Sequence, residues 1–346
     1  MAKRTENSGQ QLIGPSLLIL AFVAVGAALY FMRPVLVPLV LAILISYLVT
    51  PVVDLVQVRL RVPRAIALAA ALALAGGGIT LLIMLISSSA ASLASKAPLY
   101  QEKLVDIGNS ALALAARAGL PVNSAALEEQ LANLPVGSIL ANLLNSVVAS
   151  ASVLLLVLVF VIYLVAGHSP GERRKGLYAE IDGKIRRYLA VKVMMSAVTG
   201  IIVALLLALF GLELAVVFGV LAFLLNFIPS VGSIIATFLP LPLALVQFDS
   251  PAMILLVLVV PGALQIAIGN GLEPKLMGTS LDLHPITILL SLIFWGMLWG
   301  LPGMVLAAPI TAVVKIVLDR VESTRPIGDL LAGKLPTTSG GQESGG

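Results

Sequence analysis

Apolar and polar positions fall in long alternating blocks along this chain. Apolar runs cover Leu12–Met32, Val35–Val53, Ala65–Ser87, Val147–Ala166 and Val193–Phe210. Each matches the roughly 20-residue helix that a bilayer core about 30 Å thick selects, so each predicts a transmembrane helix. Polar breaks between them are short: Arg33-Pro34, then RLRVPR at Arg59–Arg64. The third run carries Gly76-Gly77-Gly78, small residues that let neighbouring helices approach closely.

Two polar stretches are longer. Ser88–Ser146 is amphipathic, with Leu99, Leu104, Ile107, Ala111 and Leu114 on near-helical spacing and prolines at 98, 121 and 135. It predicts a small helical insert outside the membrane. The second follows the fourth span, where seven cations between His168 and Lys192 outnumber three acids. The chain's end, TTSGGQESGG, reads as a solvated, disordered tail.

In the C-terminal half the runs shorten. Leu214–Ile228 leads into Pro229-Ser230-Val231-Gly232-Ser233 and then Ile234–Phe248. Ile286–Leu298 leads into Gly300-Leu301-Pro302-Gly303 and then Met304–Leu318. Arms of about 13–16 residues make helices of roughly 20–24 Å, short for a full crossing. Between the two pairs runs the longer span Ala252–Leu272. The expected fold is an all-α polytopic membrane protein with about six transmembrane helices plus two re-entrant helical hairpins, opposed as in many secondary transporters. Eight to ten full spans fit the same pattern. The divisions are 1–87 for the first three helices, 88–146 for the extracytoplasmic insert, and 147–192 for helix 4 with the basic cytoplasmic loop. A core of broken helices over 193–320 and a tail over 321–346 complete them.

Composition removes other classes. The 346 residues are 59% hydrophobic and 11% charged, against about 25% charged in soluble domains. The net charge of +4 comes from clusters between apolar runs. Those clusters serve topology and do not form a nucleic-acid face. Lys3/Arg4, the Arg59–Arg64 loop and the Arg173–Lys192 loop agree if all are cytoplasmic, placing both termini there and the insert outside. Cysteine is absent, excluding thiolate metal sites and cysteine nucleophiles. No GxxxxGK[ST] loop and no HExxH are present, so neither ATP hydrolysis nor metalloprotease chemistry is expected. No catalytic residue, metal or cofactor is expected.

Broken backbone in lipid leaves amides and carbonyls unpaired at several kcal/mol each, and survives only when buried in protein or beside a polar cavity. This places a pathway at Asn226–Ser233 and Gly300–Gly303. Pro274 makes Glu273 the expected last helical residue of its span, with the wrong charge for the helix dipole, to be compensated by adjacent Lys275 or by a basic group from another segment. Glu273 reads either as a plain interfacial carboxylate or as a gate or cation site. Asn226 reads as a site residue or as glue between helices; Gln265 and Asn270 are weaker versions of the same choice. Asp282 is expected to cap the next helix, His284 is a further candidate proton-linked switch, and Lys315 is expected to snorkel to the surface.

NFIPSVGS (Asn226–Ser233), GNGLEPKLMG (Gly269–Gly278) and FWGMLWGLPGMVLAAPITAVVK (Phe294–Lys315) closely resemble signatures of the autoinducer-2 exporter family of bacterial inner-membrane proteins. RVPR and the insert after the third span are similar too, so the resemblance covers about residues 12–320. It implies a homo-oligomeric secondary transporter, with export of a quorum-sensing signal in some members and sodium–proton exchange in others. The expected pathway residues are Asn226, Pro229, Ser230, Gly232, Ser233, Gln265, Asn270, Glu273, Lys275, Gly300, Pro302 and Gly303. The leading expectation is an exporter of a small polar solute, autoinducer-2 being one candidate. Cation/proton antiport is the alternative, and a non-transporting membrane scaffold ranks below both. Partners implied are the lipid bilayer, the solute, protons or sodium, and further copies of the chain.

Overall fold

The computed structural model describes residues 2–74, scattered positions between 76 and 117, and then 153–167, 176–277 and 281–334. Most of the insert expected at 88–146 and the last twelve residues lie outside the described residues. Among the described residues every regular element is helical. Helix α1 spans Ala2–Phe31, α2 Arg33–Leu60, α3 residues 64–74 and α4 Val153–Ala166. Then come α5 (Leu177–Leu209), α6 (Ala215–Leu225), α7 (Val231–Phe238), α8 (Leu241–Gln247) and α9 (Pro251–Ala267). A π-helical turn, Ile268–Leu272, links α9 to α10 (Glu273–Met277), and α11 (Pro285–Leu318) and α12 (Arg325–Leu331) follow.

Four stretches among the described residues are long and apolar enough to cross a membrane: α2, α5, Pro251–Leu276 and α11, the last of which is divided at Gly300. Large apolar side chains stay exposed along them, Leu55, Leu205, Leu255 and Met297 for instance, as a lipid-facing surface requires. The chain is a multi-pass membrane protein.

It divides into two compact units, one of Met1–Leu48, Val157–Tyr188 and Thr279–Gly346, the other of Val49–Leu156 and Leu189–Gly278. In the second, the breaks read from sequence become a tight helix–turn–helix. At its turn Ser230 has φ +60°, unusual for a residue with a side chain, and Gly232 is pressed against the end of α6. A Cβ at Gly232 would stand 1.8 Å from the Leu225 carbonyl oxygen, so only glycine permits this approach. Helices α5 and α6 meet in the same manner. Gly200 and Gly219 each lie within 2.7 Å, Cβ to oxygen, of the other's carbonyl, and Ala204 abuts Gly219. This close crossing does the work expected of Gly76-Gly77-Gly78, where a built Cβ meets nothing within 4 Å. Val203, Leu207, Ala222, Ala236 and Val257 fill the core between these helices.

The first unit contains a second reversal. Gly300 has φ +65° and ψ −143°, which splits α11 into the arms Pro285–Trp299 and Leu301–Leu318. Trp295 Nε1 donates to Thr311 Oγ1 at 3.2 Å, sixteen residues on. A straight helix would hold those positions about 24 Å apart, so the chain folds back on itself. Gly303 sits where a Cβ would come within 2.0 Å of the Trp295 carbonyl oxygen, as Gly232 does at Leu225. Trp299 Nε1 donates to the Leu29 carbonyl at 3.0 Å, satisfying one of the orphan carbonyls at the end of α1.

Four local expectations are corrected. Residues 177–192, expected as part of the basic loop, already belong to α5. The tail expected to be disordered from 321 begins with turns and α12, held because the His284 amide donates to the Leu331 carbonyl and Gly328 packs on Asp319. Lys315 does not snorkel. It is buried and bonds Asp282 and Asp319 at 2.9 and 2.7 Å. Asp282 is thus spent on that pair, and His284 caps α11, accepting from the Ile286 amide through Nδ1.

Candidate functional site

The second unit holds a cleft of about 510 Å³, within the range typical of small-molecule sites. One wall is the α6–α7 turn with Asn226, Pro229, Ser230, Ser233 and Thr237. Facing it are α9 and the π turn with Gly262, Gln265, Gly269, Asn270 and Glu273, and α5 supplies Lys192.

Helical phase explains how α5 contributes. Lys192, Ser196 and Thr199 are spaced i, i+4, i+7, a polar stripe where α5 turns apolar, and all three are buried. Thr199 satisfies itself by donating to the Met195 carbonyl at 2.8 Å. Ser196 Oγ accepts from Asn226 Nδ2 at 3.0 Å, which fixes the turn of α6–α7 to α5. Asn226 is 5% exposed. It therefore combines the two roles open to it from sequence, joining helices and lining the cleft.

Gln265 is oriented by a chain of hydrogen bonds. Thr237 Oγ1 donates to the Ser233 carbonyl at 2.9 Å, so its hydroxyl can only accept from Gln265 Nε2, at 3.1 Å. The amide is thereby turned, and Gln265 Oε1 is left buried with no partner. An unsatisfied buried acceptor costs about 1–3 kcal/mol, and such groups call for an explanation.

Glu273 forms an ion pair with Lys192 of α5; their side chains are 13% and 4% exposed. Lys275, the neighbour expected to balance it, is exposed. Nor does Pro274 end the helix at Glu273, which stays helical at φ −60°, ψ −49°. A proline ring clashes with the carbonyl four residues back and removes one amide donor. The π turn absorbs this, since the Glu273 amide reaches Ile268 O, five residues back, and helical structure continues to Met277. Single π turns inside α-helices concentrate at functional sites.

Of the residues expected along a pathway, Asn226, Pro229, Ser230, Ser233, Gln265, Asn270 and Glu273 line this cleft. Gly232 is buried under the turn as its packing contact. Gly300, Pro302 and Gly303 belong to the other unit, where they form the second reversal. Lys192 was missed because it closes a run of cations; the polar stripe that continues into Ser196 and Thr199 was the available signal.

A cleft lined in part by the buried polar side chains of Lys192, Asn226 and Gln265, within a multi-pass helical membrane protein, fits a membrane transporter. Residues 17–323 match the AI-2E family transporter profile. The AI-2 transport protein TqsA of Escherichia coli is 31% identical over 313 residues, covering 87% of this chain and 90% of TqsA. A provisionally named transport protein of Haemophilus influenzae is 28% identical over 331 residues, 90% of this chain and 94% of the relative. Another from Borreliella burgdorferi is 40% identical over 159 residues, 46% of this chain and 44% of the relative. The chain belongs to the AI-2E transporter family.

Proposed function

We propose that the chain exports a small polar solute across a bacterial inner membrane through the cleft of the second unit, as a homo-oligomer with both termini cytoplasmic. The observation that carries this reading is the burial of Lys192, Asn226, Gln265 and Glu273 around one cavity in a membrane protein. Polar groups at such depth are costly, and they mark substrate and ion pathways. The two helical reversals serve as re-entrant hairpins; of their arms only Leu301–Leu318 approaches the length of a span. Autoinducer-2 is the proposed cargo. TqsA bears its name, and Asn226, Ser230, Ser233, Thr237 and Gln265 supply hydroxyl and amide contacts for a small polyhydroxylated signal. Its export would give the chain a part in quorum sensing.

Cation/proton antiport at Glu273 is the second reading, favoured by the buried carboxylate. Reconstitution in liposomes with labelled autoinducer-2, sodium and a pH-sensitive dye separates the two. On the export reading Asn226→Ala lowers signal flux several-fold, and Glu273→Gln only weakens it. Antiport predicts instead that Glu273→Gln abolishes pH-linked cation flux. Equal signal flux in Asn226→Ala and the wild type would sink the proposed route.

A further inference from the structure

We infer that Lys192 is a specificity-determining residue: it cancels the charge of Glu273 so that the cleft admits uncharged solutes and refuses ions of either sign. The inference rests on the pathway reading above and adds the class of solute. Among the described residues lining the cleft, Lys192 and Glu273 are the only charged ones, and they are paired with each other. The remaining polar lining is neutral: Asn226, Ser230, Ser233, Thr237, Gln265 and Asn270. Lys275 is exposed on the following turn, outside the lining, so it does not alter this balance.

The pair is held from two elements. Lys192 sits in the middle of the 33-residue α5, on the stripe that Ser196 continues to Asn226. Glu273 hangs from the π turn, whose Gly269 and Gly271 have open space where a side chain would be. A long helix therefore presents the cation, and the π turn presents the anion. Within a low-dielectric wall an unbalanced charge would focus the local field and concentrate counter-ions by tenfold or more. Balanced, the pair leaves a dipole that suits hydroxyl donors and acceptors.

The test uses the full chain in liposomes with three probes: erythritol, sodium and chloride. Wild-type protein passes erythritol and holds back both ions. Lys192→Gln leaves the carboxylate alone and raises sodium permeability at least tenfold, chloride unchanged. Glu273→Gln leaves the ammonium alone and raises chloride permeability by a similar factor, sodium unchanged. The doubly neutral K192Q/E273Q and the reversed K192E/E273K keep the cleft neutral, so neither leaks. Where a single variant does not fold, these two decide, and an ion leak through either overturns the inference. Single variants that fold and leak to neither ion, or to both alike, overturn it as well. Erythritol reports on the pathway separately. If it passes through no protein while the ions respond as stated, the charge filter stands and the solute route falls. If it passes while the ions ignore the substitutions, the reverse holds.

Discussion

Gly232→Ala adds one methyl group at the tightest point of the α6–α7 turn. The new Cβ would lie 1.8 Å from the Leu225 carbonyl oxygen and 2.6 Å from its carbon, both backbone atoms. Normal contact needs well over 3 Å, so the turn must open by more than an ångström. Two effects compete. Replacing a helical glycine by alanine ordinarily gains about 0.4–1 kcal/mol through the unfolded chain. Overpacking a filled site costs about 1–3 kcal/mol, and more when backbone rather than a side-chain tip must yield. The clash wins, for a net loss of about 1–2 kcal/mol. Gly183→Ala is the matched control, since it too is helical and its Cβ meets nothing within 4 Å. Unfolding of both variants in mixed dodecylmaltoside–SDS micelles should therefore move in opposite directions. The turn also carries Asn226 and Ser233, so signal flux in liposomes should fall for Gly232→Ala and hold for Gly183→Ala. A Gly232→Ala protein as stable and as active as Gly183→Ala would refute the close approach and the geometry built on it.

Two further outcomes follow from single sites. Lys315 is 5% exposed between Asp282 and Asp319, whose side chains are 42% and 33% exposed. D282N/D319N strands a buried ammonium, whereas Lys315→Met strands two carboxylates that water can reach. The double variant should thus lose more stability, by about 1–2 kcal/mol in micelle unfolding, and the opposite order would contradict the assignment. Gln265→Met removes both the bond to Thr237 and the unpartnered Oε1, so its stability should stay within about 1 kcal/mol of wild type. Its erythritol flux should nevertheless fall several-fold, and unchanged flux would remove Gln265 from the route.

Much of this molecule was legible along the chain because the signals are local. Apolar runs marked the helices of a membrane protein, and the clusters at Pro229–Ser233 and Gly300–Gly303 marked both reversals, since proline and glycine act on their own backbone. Asn226 and Gln265 stood out as polar residues in apolar runs and Glu273 as a carboxylate at a helix end, and the cleft gathers all three. Short-range rules failed where a remote group intervened. Pro274 should have ended a helix, and the π turn carried it through. Asp282 should have capped α11, but Lys315, 33 residues on, claimed it. Glu273 had adjacent Lys275 or a base from another segment as its candidate counter-charge, and its partner is the second kind, Lys192, 81 residues away. Periodicity states which face of a helix is polar and leaves open which other face it meets. That choice is made when the backbones close on one another, at Gly200 against Gly219 and Gly232 against Leu225. Only then does a buried charge find the single counter-charge within reach, because in so apolar an interior nothing else can balance it.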